Sequence, residues 1–140
     1  MTNEGTPGGS ERFDEGMAIR REVLGSSHVD GAMASATSFD QDFQRLITEV
    51  AWGSVWARPG LDRRTRSLVT VAILAALGRR EELAMHLRAT ANTGVTPEEV
   101  AEALLHVAVY AGIPAAHTAM GLAKEILTGD APVDEPPSPS

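Results

Sequence analysis

The chain has no cysteine, which excludes disulfides, thiolate metal sites and dithiol redox chemistry. Aromatic residues make up only 4% of it, against 43% hydrophobic residues overall. A core must therefore be built from Ala, Leu and Val, a palette suited to closely packed helices rather than to sandwiched sheets. No stretch alternates polar and apolar residues over the length of a strand. Positive charge is also short: 12 Lys and Arg stand against 19 Asp and Glu, a formal charge of −7. That balance argues against nucleic acid as a partner, because phosphates must be met by a dense basic face. No apolar run reaches the roughly 18 residues of a membrane span, and no basic, apolar leader opens the chain, so a soluble, cytoplasmic protein with no membrane partner is expected. His28, His86, His106 and His117 show no HxxxH or HExxH spacing, and no metal site is expected. Phosphate-cradling glycine loops and serine elbows are missing too.

What is present reads as one all-α domain, a compact bundle of about six to seven helices over residues 11–129. It is flanked by tails at 1–10 and 130–140, the second broken by Pro132, Pro136, Pro137 and Pro139. A first helix is expected from Glu11 to Gly25, and a short helix or turn over 26–37. Ser38 and Gln41 have capping-box spacing, with Asp40 as an alternative cap. They open a helix whose Phe43, Leu46, Ile47, Val50 and Ala51 form an inward stripe, stopping before Arg58-Pro59-Gly60.

The centre of the chain is the stretch from Thr65 to Gly94, an apolar helix running into a charged one. From Leu68 to Leu77 nearly every residue is apolar, which predicts a helix with no polar face, buried among others. In the next helix Leu83, Leu87 and Ala91 should face inward, while Glu82 and His86, at i and i+4, share a neighbouring face, with Arg79 one turn earlier. Thr96-Pro97-Glu98-Glu99 is a clear helix start, with Val100, Ala103, Leu104, Val107 and Ala111 on its inner face. A last helix runs from about Pro114 to Gly129.

Several groups could carry chemistry, and each has a plainer reading. Glu82 and His86 are either an acid–base pair or an ordinary solvated helix pair. His106 and Tyr110, also at i and i+4, are either pocket groups or core and interface residues. Arg58, Arg63, Arg64 and Arg66 either bind carboxylates or are surface charges, although cations at a helix start oppose its dipole. Trp52 and Trp56, one turn apart, are either packing plugs or ligand platforms.

The segments LITEVAWGSVWARPGLDRRTRSLVTVAILAALGR, EELAMHLRATANTGVTPEEV and LLHVAVYAGIPAAH resemble the carboxymuconolactone decarboxylase family over about residues 23–127. The wider superfamily includes alkylhydroperoxidase D-like proteins, whose motif is a Glu, then CxxC, then His. Laid on this chain, that motif places Ser67 at the Glu, Arg79 and Glu82 at the two cysteines, and His86 at the His. Without thiols peroxidase chemistry cannot run, so the resemblance points to decarboxylation. His117 stands where asparagine is expected.

The resemblance implies an alkylhydroperoxidase D-like fold and a homo-oligomer, a hexamer of three dimers. It also implies cofactor-independent conversion of 4-carboxymuconolactone to 3-oxoadipate enol-lactone and CO2, in the protocatechuate branch of the β-ketoadipate pathway. That substrate is its own electron sink, so no cofactor is needed. On this reading Arg58, Arg64 or Arg66, with Arg79, holds the carboxylates of a small dicarboxylate lactone. His86, supported by Glu82, donates to the oxyanion or delivers a proton, and Trp52, Trp56, His106 and Tyr110 wall the pocket. The alternatives are another cofactor-free lyase or isomerase on a related carboxylated lactone, and a non-catalytic oligomeric member of the family.

Overall fold

Helix signals dominate the chain, and the computed structural model, which describes residues 9–130, is all-α, with seven α-helices, one π-helix and no strand among those residues. The helices are α1 (Gly9–Leu24), α2 (Ser26–Ala34), α3 (Gln41–Ile47), α4 (Arg63–Leu77), α5 (Arg80–Thr93), α6 (Pro97–Tyr110) and α7 (Ile113–Thr128). Between α3 and α4 the chain continues from α3 as a π-helix, Thr48–Trp56. The expected tails lie outside the described residues except at their inner ends: Gly9 and Ser10 already belong to α1, and Asp130 follows the end of α7. The described residues fall into two units, one ending at Arg63 and one beginning at Arg64.

In the first unit α1 lies close against the π-helix, at two glycines that have room for nothing else. A Cβ on Gly16 would overlap the carbonyl oxygen of Thr48, and one on Gly53 would come within 2.5 Å of the carbonyl oxygen of Arg12. Backbones can approach this closely only where side chains are absent. Beside the crossing, Arg20 is buried and donates to Thr48 Oγ1 and Gln44 Oε1, both at 3.2 Å. Burial without a carboxylate partner among the described residues lowers its pKa from the usual arginine value.

Two expectations for this segment are corrected. Asp40 is the N-cap of α3 but makes no capping bond; its carboxylate turns back to accept from the Thr37 N–H at 2.7 Å. The stripe of Phe43, Leu46 and Val50 is exposed, because the side facing α1 carries Gln44, Thr48 and Trp52 instead, matching the polar end of Arg20 and the bare backbone of Gly16. The π register leaves carbonyls misaligned with the α ladder, and hydroxyls take them up: Thr48 Oγ1 donates to Gln44 O at 2.8 Å, and Ser54 Oγ to Glu49 O, five residues back, at 3.0 Å.

The second unit has the hydrophobic core, in which Val71 and Ala75 of α4 meet Leu83 and Leu87 of α5, Leu104 of α6 and Leu122 of α7. Each valine or leucine among them, fully buried, contributes about 1.5–3 kcal/mol. α5 ends at Gly94, whose φ of 86° few other residues adopt cheaply. α6 begins with the expected capping box: Thr96 Oγ1 accepts from the Glu99 N–H at 3.2 Å, Glu99 Oε1 accepts from the Thr96 N–H at 2.9 Å, and Pro97 occupies the first turn.

α4 is not buried all round as its composition suggests. Val69, Ile73 and Leu77, spaced four apart, are 45%, 51% and 64% exposed, while Ser67, Val71 and Ala75 face inward. An apolar helix without a polar face has no rotational preference of its own, and its neighbours decide which side is covered. Ala91 and Ala111, expected inside, are exposed as well. The buried face of α5 is centred on Leu83, His86, Leu87 and Thr90, which turns Ala91 outward.

Candidate active site

His86 is the one histidine among the described residues that is buried, at 7% exposure. It lies on the face of α5 that also carries Thr90 and Thr93, since seven residues make nearly two full turns and about 10 Å of rise. Thr90 is buried, its hydroxyl donating to Leu87 O at 2.6 Å. Thr93 Oγ1 donates to the fully buried Ser67 Oγ of α4 at 2.9 Å. This bond ties the first turns of α4 to the same face of α5 that holds His86. The result is a seam: a helix face with one buried imidazole and two threonine hydroxyls, one of them bonded to a buried serine across from it, beside an aliphatic core.

A seam of this kind can donate hydrogen bonds to a developing oxyanion or move a proton, in surroundings where such interactions are stronger than in water. The hydroxyls were not singled out from the sequence as site residues. The available signal was Ser67 and Thr70 interrupting an apolar run, and Thr90 and Thr93 at helical spacing from His86.

The other candidate residues divide between the units. Glu82, in the first turn of α5, is exposed although it stands one turn from buried His86. Spacing gives neighbourhood along a helix but not depth. Arg64 pairs with Glu99, the residue that also closes the capping box of α6. Arg66 is half-buried, next to Ser67, and Arg79 is exposed at the N-cap position of α5. His106 and Tyr110 are exposed on α6, their rings nearly parallel at 8° and 6.3 Å between centroids. His117 is exposed near the start of α7.

Trp52, Trp56 and Arg58 belong to the first unit. Trp52 is buried and Trp56 half-buried, with ring centroids 4.9 Å apart, and Arg58 is exposed in the turn after the π-helix.

A groove of about 520 Å³ runs between Leu68 and Ala72 of α4 and Glu98, Glu99, Glu102 and His106 of α6. Glu99 pairs with Arg64, and Glu98 and Glu102 add negative charge beside His106, which makes the groove a poor seat for a dianion. Among the described residues no cluster of His, Asp and Glu is arranged as metal ligands would be. No helix among them is long and apolar enough to cross a membrane.

Residues 41–125 match the carboxymuconolactone decarboxylase family, and the chain belongs to that family. It is similar to 4-carboxymuconolactone decarboxylase of Acinetobacter baylyi, 53% identical over 83% of this chain and 87% of that protein. It is also similar to nitrosuccinic acid decarboxylase of Metarhizium robertsii, 50% identical over 77% of this chain and 76% of that protein. A third relative, a 4-carboxymuconolactone decarboxylase of Pseudomonas putida, is 44% identical over 31% of this chain and 90% of its own sequence.

Proposed function

We propose that this protein is a carboxy-lyase that converts 4-carboxymuconolactone to 3-oxoadipate enol-lactone and CO2 without a cofactor. The observation that carries the reading is the 53% identity to the Acinetobacter baylyi decarboxylase over most of both chains. The ring carbon that loses CO2 also bears an acetate arm. As the carbon–carboxylate bond breaks, its electron pair moves through the ring double bond onto the lactone carbonyl oxygen. One proton then returns to the carbon next to that carbonyl, giving the enol-lactone.

His86 is the proton donor or oxyanion donor in this reading, supported by its burial in the hydroxyl seam. A positioned proton donor is worth about 10²–10⁴ in rate. Glu82 is exposed, so any support it lends the imidazole is discounted by solvent. The carboxylates fall to the arginines in this reading: Arg66 is half-buried next to Ser67, and Arg64 pairs with Glu99. A homo-oligomer, a hexamer of three dimers, belongs to the same reading. The exposed row of Val69, Ile73 and Leu77 supports association.

The test is proton NMR in D2O with freshly generated 4-carboxymuconolactone and a control without protein. Accelerated enol-lactone formation with a single deuterium beside the carbonyl is expected. Unchanged substrate in a folded sample refutes the reading. A second substrate, 2-nitrosuccinate, is favoured by the 50% identity to the Metarhizium robertsii protein; its carbanion is stabilised as a nitronate in place of the dienolate.

A further inference from the structure

The substrates of the two relatives look unlike, a carboxylated furanone and a nitro acid, yet they share one framework. In both, the carbon that loses CO2 also carries a CH2–COO⁻ arm, so each contains a succinate. In both, that carbon bears a group able to take the departing electron pair onto an oxygen: the conjugated lactone in one, the nitro group in the other. This chain is about equally close to the two proteins, at 53% and 50% identity. A site common to such sequences must recognise what the substrates share, two carboxylates at fixed separation and an oxyanion, rather than a ring.

The seam around His86 is made for that breadth. Its polar groups are an imidazole and the hydroxyls of Ser67, Thr90 and Thr93. An imidazole donates to any oxyanion presented to it, whether dienolate, nitronate or simple enolate. Arg66, next to Ser67 in sequence, carries a guanidinium, a group that reads carboxylates through paired donors and is indifferent to the rest of the molecule.

Resting on the proposed decarboxylase activity, we infer that the same site decarboxylates 2-acylsuccinates, a class in which a ketone carbonyl on C2 is the electron sink. The bond from C2 to its carboxylate breaks and releases CO2. The electron pair forms the enolate of the acyl group, and one proton returns to C2, leaving a 4-oxo acid; 2-acetylsuccinate gives 4-oxopentanoate. No oxidant or second reactant is required. The one difference from the lactone is where the proton lands: on the carbon that lost CO2 rather than at the far end of a conjugated system.

The experiment follows 2-acetylsuccinate by proton NMR in D2O with the full-length protein, against buffer alone, with 4-carboxymuconolactone run in parallel. Two analogues complete the set: 2-methyl-3-oxobutanoate, which keeps the sink and lacks the second carboxylate, and 2-methylsuccinate, which keeps both carboxylates and lacks the sink. The expected result is acceleration of 2-acetylsuccinate loss by about 10²-fold or more over buffer, the effect of one positioned donor. Neither analogue should be accelerated, and His86→Ala should abolish the effect. Turnover of the lactone without acceleration of 2-acetylsuccinate overturns this inference and leaves the main reading standing. Equal acceleration of 2-methyl-3-oxobutanoate overturns the claim that succinate is what the site recognises. Failure of both the lactone and 2-acetylsuccinate overturns the decarboxylase reading itself, and this inference with it.

Discussion

Adding one methyl group at Gly16 or Gly53 tests the closest backbone approach in the first unit. At Gly53 a Cβ would lie 2.5 Å from the carbonyl oxygen and 2.7 Å from Cγ of Arg12. Arg12 Cγ can swing away, but the carbonyl belongs to α1 and moves only if the helix does. Gly16 is tighter: its Cβ would overlap the Thr48 carbonyl oxygen and sit 2.8 Å from the Gly53 nitrogen, both backbone atoms. Overpacking of this kind costs about 1–3 kcal/mol. Against it stands the gain of replacing glycine by alanine within a helix, about 0.5–1 kcal/mol.

The clash wins at both positions, and more clearly at Gly16. Gly31 in α2 is the control, since nothing lies within 4 Å of its Cβ position, and there only the helical gain remains. Thermal unfolding followed by circular dichroism should therefore rank Gly31→Ala above wild type, and Gly53→Ala and then Gly16→Ala below it. Each kcal/mol is worth about 4 °C in a chain of this size. If Gly16→Ala melts at or above the wild-type temperature, the crossing of α1 and the π-helix is not as close as described.

Four further outcomes follow from the same geometry. His86→Ala should lower turnover of 4-carboxymuconolactone by about 10²–10⁴-fold with an unchanged far-ultraviolet spectrum, and wild-type turnover would remove His86 from the mechanism. Thr96→Ala, which deletes half of the capping box on α6, should cost about 1 kcal/mol in urea unfolding; no change in midpoint would show that the cap is redundant. Arg20→Met removes a buried guanidinium without a carboxylate partner among the described residues and should be neutral or stabilising within about 1 kcal/mol. A loss beyond about 3 kcal/mol would show that its bonds to Thr48 and Gln44 outweigh its desolvation. Because burial lowers the folded pKa of Arg20, its charge penalises folding at all pH values below that pKa and is relieved only as pH rises through it. The wild-type deficit should thus be constant across neutral pH. Ile73→Asp, in the exposed row on α4, should shift sedimentation toward smaller species, and an unchanged profile would exclude that row as a contact between copies.

Local signals carried much of this fold and reached their limit where neighbours decide. The start of α6 was legible because Thr96, Pro97 and Glu99 form a cap from their own bonds, and the ends of α5 and α7 because Gly94 and Gly129 stop helices locally. The π-helix was not legible. Its extra residue per turn goes with the approach of α1 at Gly16 and Gly53, two positions far apart in sequence. The same holds for α4, where composition called for burial but could not say which of its faces the core would take. At the site, spacing placed Glu82 and His86 as neighbours and could not separate them by depth, which the packing of α5 against its unit decides.

That difference in depth bears on how a thiol-free member of this superfamily works. Of the four positions that correspond to the peroxidase motif, Arg79 and Glu82, where cysteines would stand, are exposed, whereas Ser67 and His86 are buried. A glutamate in place of Ser67 would bring a charge into a site where burial penalises it. Serine instead offers Thr93 a neutral acceptor at 2.9 Å and adds no negative charge to the seam. Without the carboxylate and both thiols, the buried histidine shares its helix face with hydroxyls, a set that can give a hydrogen bond or a proton to an oxyanion but cannot pass electrons. Restoring the acid tests the point: Ser67→Glu should raise KM for the dianionic lactone far more than Ser67→Ala, which removes the hydroxyl and adds no charge. Equal effects from the two variants would mean that Ser67 serves packing alone.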